Sequence, residues 1–262
     1  MKKKLALITG ASSGIGKELA YIHAEKGDDL IITARSAKKL DDLRKDLENR
    51  YKVHVTVIVK DLGIKSAASE IFNEVTSKGL IPFYLVNNAG FGDFRMFAES
   101  DWEKQEQMIN VNITALTHLT RLFLPEMIRN GGGKILNTAS LASFQPGPTM
   151  SVYFASKAFV LSFSEAINNE LNDKGITVTA LCPASTDTLF HEVTVGDPGL
   201  LKERKMDSAR DVALFGYRAM MKGKPVAVYG FRNRMLVFLS RFVPRSVVVK
   251  AARKIQESKN IK

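Results

Sequence analysis

The apolar positions of this chain alternate between two rhythms almost to its end. Short, nearly continuous apolar runs at Leu5–Thr9, Leu30–Thr33, Val53–Val59, Phe83–Asn87, Lys134–Ala139, Ile176–Cys182 and Val226–Tyr229 read as strands, several of them buried on both faces. Between them the spacing changes to three and four. Leu40, Leu43 and Leu47 mark one helix; Leu19, Ile22 and His23 mark another that stops at Gly27. A long helix is predicted over 102–128, with Pro125 near its end, and a further one over 151–172, ending near Gly175. Ser208-Ala209-Arg210-Asp211 has the form of a capping box and opens a helix to about Met221. Strands alternating with helices predict a doubly wound α/β fold: a seven-stranded parallel sheet with helices on both faces.

The 262 residues suit one large α/β domain, placed here over 1–230, followed by a tail over 231–262. No repeat and no low-complexity linker divides the domain; Gly131-Gly132-Gly133 reads as a turn entering a strand. The stretch 184–206 lacks a clear period, and a loop that long in a compact domain usually carries function. Charge changes the picture of the tail. Of a net +11, the part from Arg218 onward holds 12 Lys or Arg and only Glu257 as an acid, while the first 217 residues hold 26 basic and 26 acidic side chains. The body is neutral, and the excess sits in the tail. The single cysteine, Cys182, reads as core; it makes no internal disulfide and implies a reducing compartment. Leu5–Ile8 is too short for a signal-peptide core, and no run approaches the ~20 apolar residues of a membrane span. A cytoplasmic protein is expected.

The candidate chemistry begins at Thr9-Gly10-Ala11-Ser12-Ser13-Gly14-Ile15-Gly16, between the first strand and the first helix. In that context glycines let the backbone close on a dinucleotide pyrophosphate. The helix start then aims unpaired N–H groups and a positive dipole end at the phosphates. Arg35 stands 19 residues beyond Gly16, at the tip of the second strand. An acid there accepts from the ribose 2′-hydroxyl of NAD, whereas an arginine pairs with the 2′-phosphate of NADP. NADP(H) is therefore expected ahead of NAD. Tyr153 and Lys157 are spaced i, i+4 and share a helix face. A phenol acid beside an ammonium, both next to a nucleotide, is an arrangement for moving a hydride and a proton, which points to an oxidoreductase.

These motifs resemble those of the short-chain dehydrogenase/reductase family, over about residues 4–230. TGASSGIG at 9–16, Asp61-Leu62, Asn87-Asn88-Ala89-Gly90, Ser140 and Tyr153-x-x-x-Lys157 stand in the family's order, and Asn112 matches its fourth catalytic position. The resemblance implies a Rossmann-type sheet in the order 3-2-1-4-5-6-7, assembled as a homodimer or homotetramer. It implies that Gly10, Ser12, Ser13, Gly14, Ile15 and Gly16 bind the cofactor, that Asp61 bonds the adenine amino group beside Leu62, and that Asn88, Ala89 and Gly90 line a ribose. Pro183, Thr186 and Thr188 are implied to hold the nicotinamide amide, although Ala184 stands where the family usually has glycine. Tyr153 is implied to be the acid/base, Ser140 to steady the carbonyl oxygen, and Lys157 to bind the nicotinamide ribose and tune Tyr153. Asn112 is implied to anchor a water chain that resupplies the proton. A free phenol has a pKa near ~10; the Lys157 ammonium and an oxidised nicotinamide are expected to favour phenolate and bring Tyr153 toward neutral pH.

The substrate is less defined. Phe91, Phe94, Met96, Phe97, Phe144 and Met150 flank the catalytic stretches, and Phe190, Val193, Leu200 and Leu201 lie in the loop. Some are packing, but their concentration favours a hydrophobic ketone, 3-oxoacyl or steroid-like substrate over a sugar. His23, His54, His118 and His191 lack ligand spacing, so no metal is expected. For the tail, with Pro244 dividing two short helices, three readings stay open: contact with an anionic membrane, packing on the body or a neighbouring subunit, and a nucleic-acid arm, which no recognition motif supports. Rival functions are an NAD-dependent alcohol dehydrogenase and a non-catalytic dinucleotide-binding regulator; the latter has no use for the full Asn112, Ser140, Tyr153 and Lys157 set.

Overall fold

The computed structural model describes residues 3–188 and 206–257. Seven strands form one parallel sheet: β1 Leu5–Thr9, β2 Asp29–Ala34, β3 Val55–Val59, β4 Tyr84–Asn87, β5 Gly133–Thr138, β6 Ile176–Cys182 and β7 Val226–Val228. Their order is β3-β2-β1-β4-β5-β6-β7, as the resemblance implies. Successive side chains of a strand point to opposite faces, and the central strands use both. Ala6, Ile8, Leu30 and Ile32 face α1 (Gly14–Glu25), α2 (Ala37–Tyr51) and, beyond the loop, α7 (Ala209–Met221). Leu7, Ile31 and Leu85 face α3 (Ala67–Ser77), α5 (Leu116–Arg129) and α6 (Ser151–Glu170). The apolar runs of the sequence are continuous because each strand has a core on either side.

Two stretches differ from the pattern-based expectation. Helix α3 was not marked by the periodicity: its inward positions are Ala67, Ala68, Ile71 and Val75, and the two alanines carry little apolar signal. The single helix expected over 102–128 is interrupted. It consists of α4 (Trp102–Ile109) and α5, separated by a π-helical turn at Asn110–Ala115. A π turn inside an α-helix often marks a functional position, and this one carries Asn112. Ser208 caps α7 by accepting from the Asp211 N–H at 3.4 Å. After β7 the chain forms α8 (Phe231–Ser240) and α9 (Arg245–Glu257), on either side of Pro244.

Candidate active site

All the candidate residues lie just beyond the C-terminal ends of the strands, where ligands bind in open α/β sheets. The turn at 10–16 joins β1 to α1. Arg35 follows β2, Asp61 and Leu62 follow β3, and Asn88 to Gly90 follow β4. Ser140 follows β5; Pro183, Thr186 and Thr188 follow β6; Tyr153 and Lys157 sit on the first turns of α6. Phe190, His191, Val193, Leu200 and Leu201 lie outside the described residues, as does most of the loop expected over 184–206.

The nucleotide end is held together by one buried hydroxyl. Thr9 Oγ1 accepts the backbone N–H groups of Asn88 at 2.9 Å and Ala89 at 3.0 Å, tying the β4 exit to β1. The Asn88 amide donates to Thr9 O at 3.1 Å and accepts from Thr138 Oγ1 at 3.3 Å. A methyl on Gly16 would collide with the Asn88 amide and the Gly10 carbonyl, so only glycine fits there. Helix α1 starts at Ser13 with no side-chain cap and no acid in its first turn. Helix-start N–H groups left without a side-chain partner, next to hydroxyls and glycine, fit a dinucleotide phosphate. Arg35 is exposed, and among the described residues no carboxylate pairs with it. Asp61 Oδ1 accepts from the Gly63 N–H at 2.9 Å, which fixes the carboxylate beside buried Leu62.

At the catalytic end, Tyr153 and Lys157 are both buried. The Tyr153 side chain hydrogen-bonds with that of Ser140. Ser140 is set by a capping box of its own: its Oγ accepts from the Ala142 N–H at 3.1 Å, and its N–H donates to Ser143 Oγ at 3.3 Å. Ser143 then donates to the Lys157 carbonyl at 2.7 Å, locking the Ser140 loop to α6. Lys157 Nζ donates to Thr138 O at 2.8 Å and lies 5.9 Å from the Tyr153 ring centre. Asn112 Oδ1 accepts from the Phe91 N–H at 3.1 Å; its Nδ2 donates to Phe91 O and to Ser156 Oγ, both at 3.0 Å. Gly90 closes this group, since a methyl there would stand 3.0 Å from Asn112 Oδ1 and 3.2 Å from Lys157 Nζ.

Burial sets the electrostatics of both groups in the chain alone. Burial pushes the Tyr153 phenol up to about 12, only partly opposed by the Ser140 hydrogen bond. The expected fall toward neutral pH involves the positive nicotinamide of a bound cofactor; in the chain alone the phenol is desolvated and the ammonium donates to the Thr138 carbonyl. Burial likewise lowers Lys157 to about 8. The neighbouring Cys182 would favour the ammonium only as a thiolate, and burial holds that thiol at about 12. The Asn112 amide uses both its N–H groups on the protein, which leaves one Oδ1 lone pair for any water. It ties the Phe91 segment to the residue before Lys157. The sequence motifs did not single out Thr138, Ser143 or Ser156, and they include Thr9 only as the first residue of the glycine turn; each acts through a buried contact with a residue distant in the chain, and no local spacing marks that. Among the described residues no group of three His, Cys, Asp or Glu is placed to hold a metal. None of their helices is long and apolar enough to cross a membrane.

The glycine turn and the serine, tyrosine and lysine group stand together at the C-terminal edge of the sheet, the arrangement of the short-chain dehydrogenases that the sequence resembles. Comparison with known proteins agrees. The short chain dehydrogenase family matches residues 4–196, and the chain belongs to that family. A very-long-chain 3-oxoacyl-CoA reductase from Danio rerio is 34% identical over 196 residues, 72% of this chain and 62% of that relative. The chain thus spans under two thirds of that relative's length. A short-chain dehydrogenase from Sphingobium yanoikuyae, solved with NADPH, is 30% identical with a TM-score of 0.82, covering 91% of this chain and 93% of that one. A relative from Burkholderia phymatum solved with NAD is 25% identical with a TM-score of 0.80, covering 90% and 92%.

Proposed function

We propose that the chain is an NADP(H)-dependent oxidoreductase that interconverts a carbonyl and a secondary alcohol on a hydrophobic small molecule. The observation that carries this reading is the grouping of Ser140, Tyr153 and Lys157 at the same edge of the sheet as the turn at 10–16, with Lys157 Nζ 5.9 Å from the Tyr153 ring centre. The bound nicotinamide supplies or accepts the hydride. Tyr153, which burial keeps protonated in the chain alone, is the group that gives its proton to the carbonyl oxygen in the reducing direction. Ser140 donates to the same oxygen and stabilises its developing charge. Lys157 holds positive charge next to the phenolate that Tyr153 becomes on giving up its proton, and its contact with Thr138 fixes its position. Asn112 holds α6 in register with Gly90.

The preference for NADP(H) is supported by Arg35, exposed at the tip of β2 and paired with no carboxylate among the described residues, and by the NADPH-bound Sphingobium relative. The apolar substrate is supported by Phe91, Phe94 and Met150, which pack around Tyr153 and Phe154, and by the name of the Danio rerio relative. The resemblance also favours a homodimer or homotetramer. The test is a screen of ketones and alcohols following absorbance of the reduced cofactor. With a substrate in hand, Tyr153→Phe is expected to lower turnover at least about 100-fold; undiminished turnover would refute the assignment.

A further inference from the structure

We infer that α8 and α9 form a docking surface for an anionic lipid bilayer, set beside the substrate side of the catalytic pocket. Helix α8 is amphipathic in the unusual sense. At 3.6 residues per turn, Phe231, Met235, Phe238, Leu239 and Phe242 (just past its end) share a sector roughly 100° wide. That sector points away from the protein: Phe231, Phe238 and Phe242 are 69%, 53% and 73% exposed. The opposite side carries Asn233, Val237 and Ser240, of which Val237 packs against the cluster of Ala139 and Val160 on the body. The body therefore already occupies the face that α8 turns inward, and the outward stripe is left to meet something else. A contiguous apolar patch of this kind on a globular protein marks an interaction surface.

Charge selects the partner. Arg234 and Arg241 border the stripe on one edge and Arg232 on the other, while Arg245, Lys250 and Lys254 continue the exposed basic surface along α9. Residues 218–256 contain no Asp or Glu, and the charges of the first 217 residues balance. A second copy docked symmetrically through this stripe would set its arginines against their own images. An anionic headgroup layer meets both demands, taking the aromatic rings at the acyl boundary and the arginines among the phosphates. Edge-to-face packing of Phe238 on Phe242, with ring centres 5.3 Å apart, keeps the two deepest rings together.

The site of docking matters because α9 touches a residue packed with Tyr153. Gln256 is buried, and its amide lies 3.8 Å from the Met150 sulfur. Met150 packs with Tyr153 and Phe154. A bilayer held on this arm would stand next to the rim through which an apolar substrate reaches Tyr153, so that substrate dissolved in the membrane is delivered locally; this consequence rests on the oxidoreductase reading above, whereas docking does not.

The experiment is flotation of the full-length protein with vesicles of phosphatidylcholine alone or mixed in equal parts with phosphatidylglycerol. Expected is binding to the mixed vesicles at low salt, weak binding to phosphatidylcholine, and loss as salt screens the headgroups. Each arginine near the surface contributes about fivefold in partitioning, so Arg234→Ala with Arg241→Ala is expected to weaken binding about 25-fold. Phe238→Asp with Phe242→Asp is expected to abolish it. Unchanged NADPH binding by each variant confirms that it is folded. No binding of the wild type to mixed vesicles, or full binding by the phenylalanine variant, overturns the proposal. So does a wild-type oligomer that the phenylalanine variant dissociates while neither floats, which would make the stripe a contact between copies. Turnover of a water-soluble ketone without vesicles reads the catalytic assignment separately.

Discussion

Replacing Lys157 separates the folding of this protein from its chemistry. The side chain is 4% exposed, and burial lowers its pKa from 10.5 to about 8. Between those two values the unfolded chain binds more protons at this position than the folded one. Stability rises with pH wherever that holds, so the penalty for burying the ammonium is fully present below pH 8 and is lost as pH climbs toward 10.5. At about 1.4 kcal/mol per pKa unit, the depression amounts to about 3 kcal/mol at neutral pH. Lys157→Met keeps most of the volume and removes the charge. It also strands the Thr138 carbonyl, which accepts from Nζ at 2.8 Å, at a cost of about 1–2 kcal/mol. The variant is then expected to be more stable than the wild type by about 1–2 kcal/mol at neutral pH. At about 2–4 °C per kcal/mol for a domain of this size, calorimetry of the cofactor-free proteins would show a Tm higher by a few degrees. That gap is expected to close by about pH 9.5 as the wild type sheds its penalty, while turnover falls about 100-fold or more. A variant that melts below the wild type at neutral pH, or a gap that stays constant across that range, would show that Lys157 is not a buried cation held against its solvation.

Other perturbations test other parts of the site. Arg35→Ala is expected to weaken NADPH binding about 10- to 100-fold, the worth of one charge-assisted pairing, and to leave NADH nearly unchanged; equal losses in fluorescence titrations would remove its 2′-phosphate role. Asn112→Ala strands the Phe91 N–H and carbonyl and removes one of the two partners of the Ser156 hydroxyl, which still donates to the Tyr153 carbonyl. Urea unfolding is expected to show a loss of about 2–5 kcal/mol, and a loss under about 1 kcal/mol would mean that water replaces the amide.

Much of this architecture was legible from the sequence because the signals are local. A strand buried on both faces writes itself as a continuous apolar run, and all seven strands fall within two residues of the expected bounds. The turn at 10–16 and the Tyr153–Lys157 pair are contiguous motifs, and the structure brings them to the same edge of the sheet. What was not legible is what depends on distant partners. The phenol's pKa follows from how completely Tyr153 is enclosed, and no spacing encodes that. The supporting hydroxyls of Thr9, Ser143 and Ser156 look like ordinary polar residues until their partners arrive from another strand or helix. The break at 110–115 hides for a related reason: the apolar spacing of α4 and α5 each looks helical, and only the relative phase of their inward faces reveals the wider turn between them. For the tail, the division at Pro244 follows from proline chemistry, whereas the outward direction of the Phe231–Phe242 stripe needed the position of Val237 on the body.

The π turn at 110–115 makes chain length a fixed quantity in this stretch. Its wider loop of backbone offsets the helix beyond it, so that Asn112 meets Phe91 and Ser156 while Leu119, Phe123 and Met127 still lie against the sheet. Were the same residues wound as uniform α-helix, everything downstream would turn by roughly 100°. Either the amide would leave its partners or three large side chains would turn toward solvent. The wider turn thus takes up one residue between two inward faces, and Asn112 supplies the amide that this stretch holds against Phe91 and Ser156.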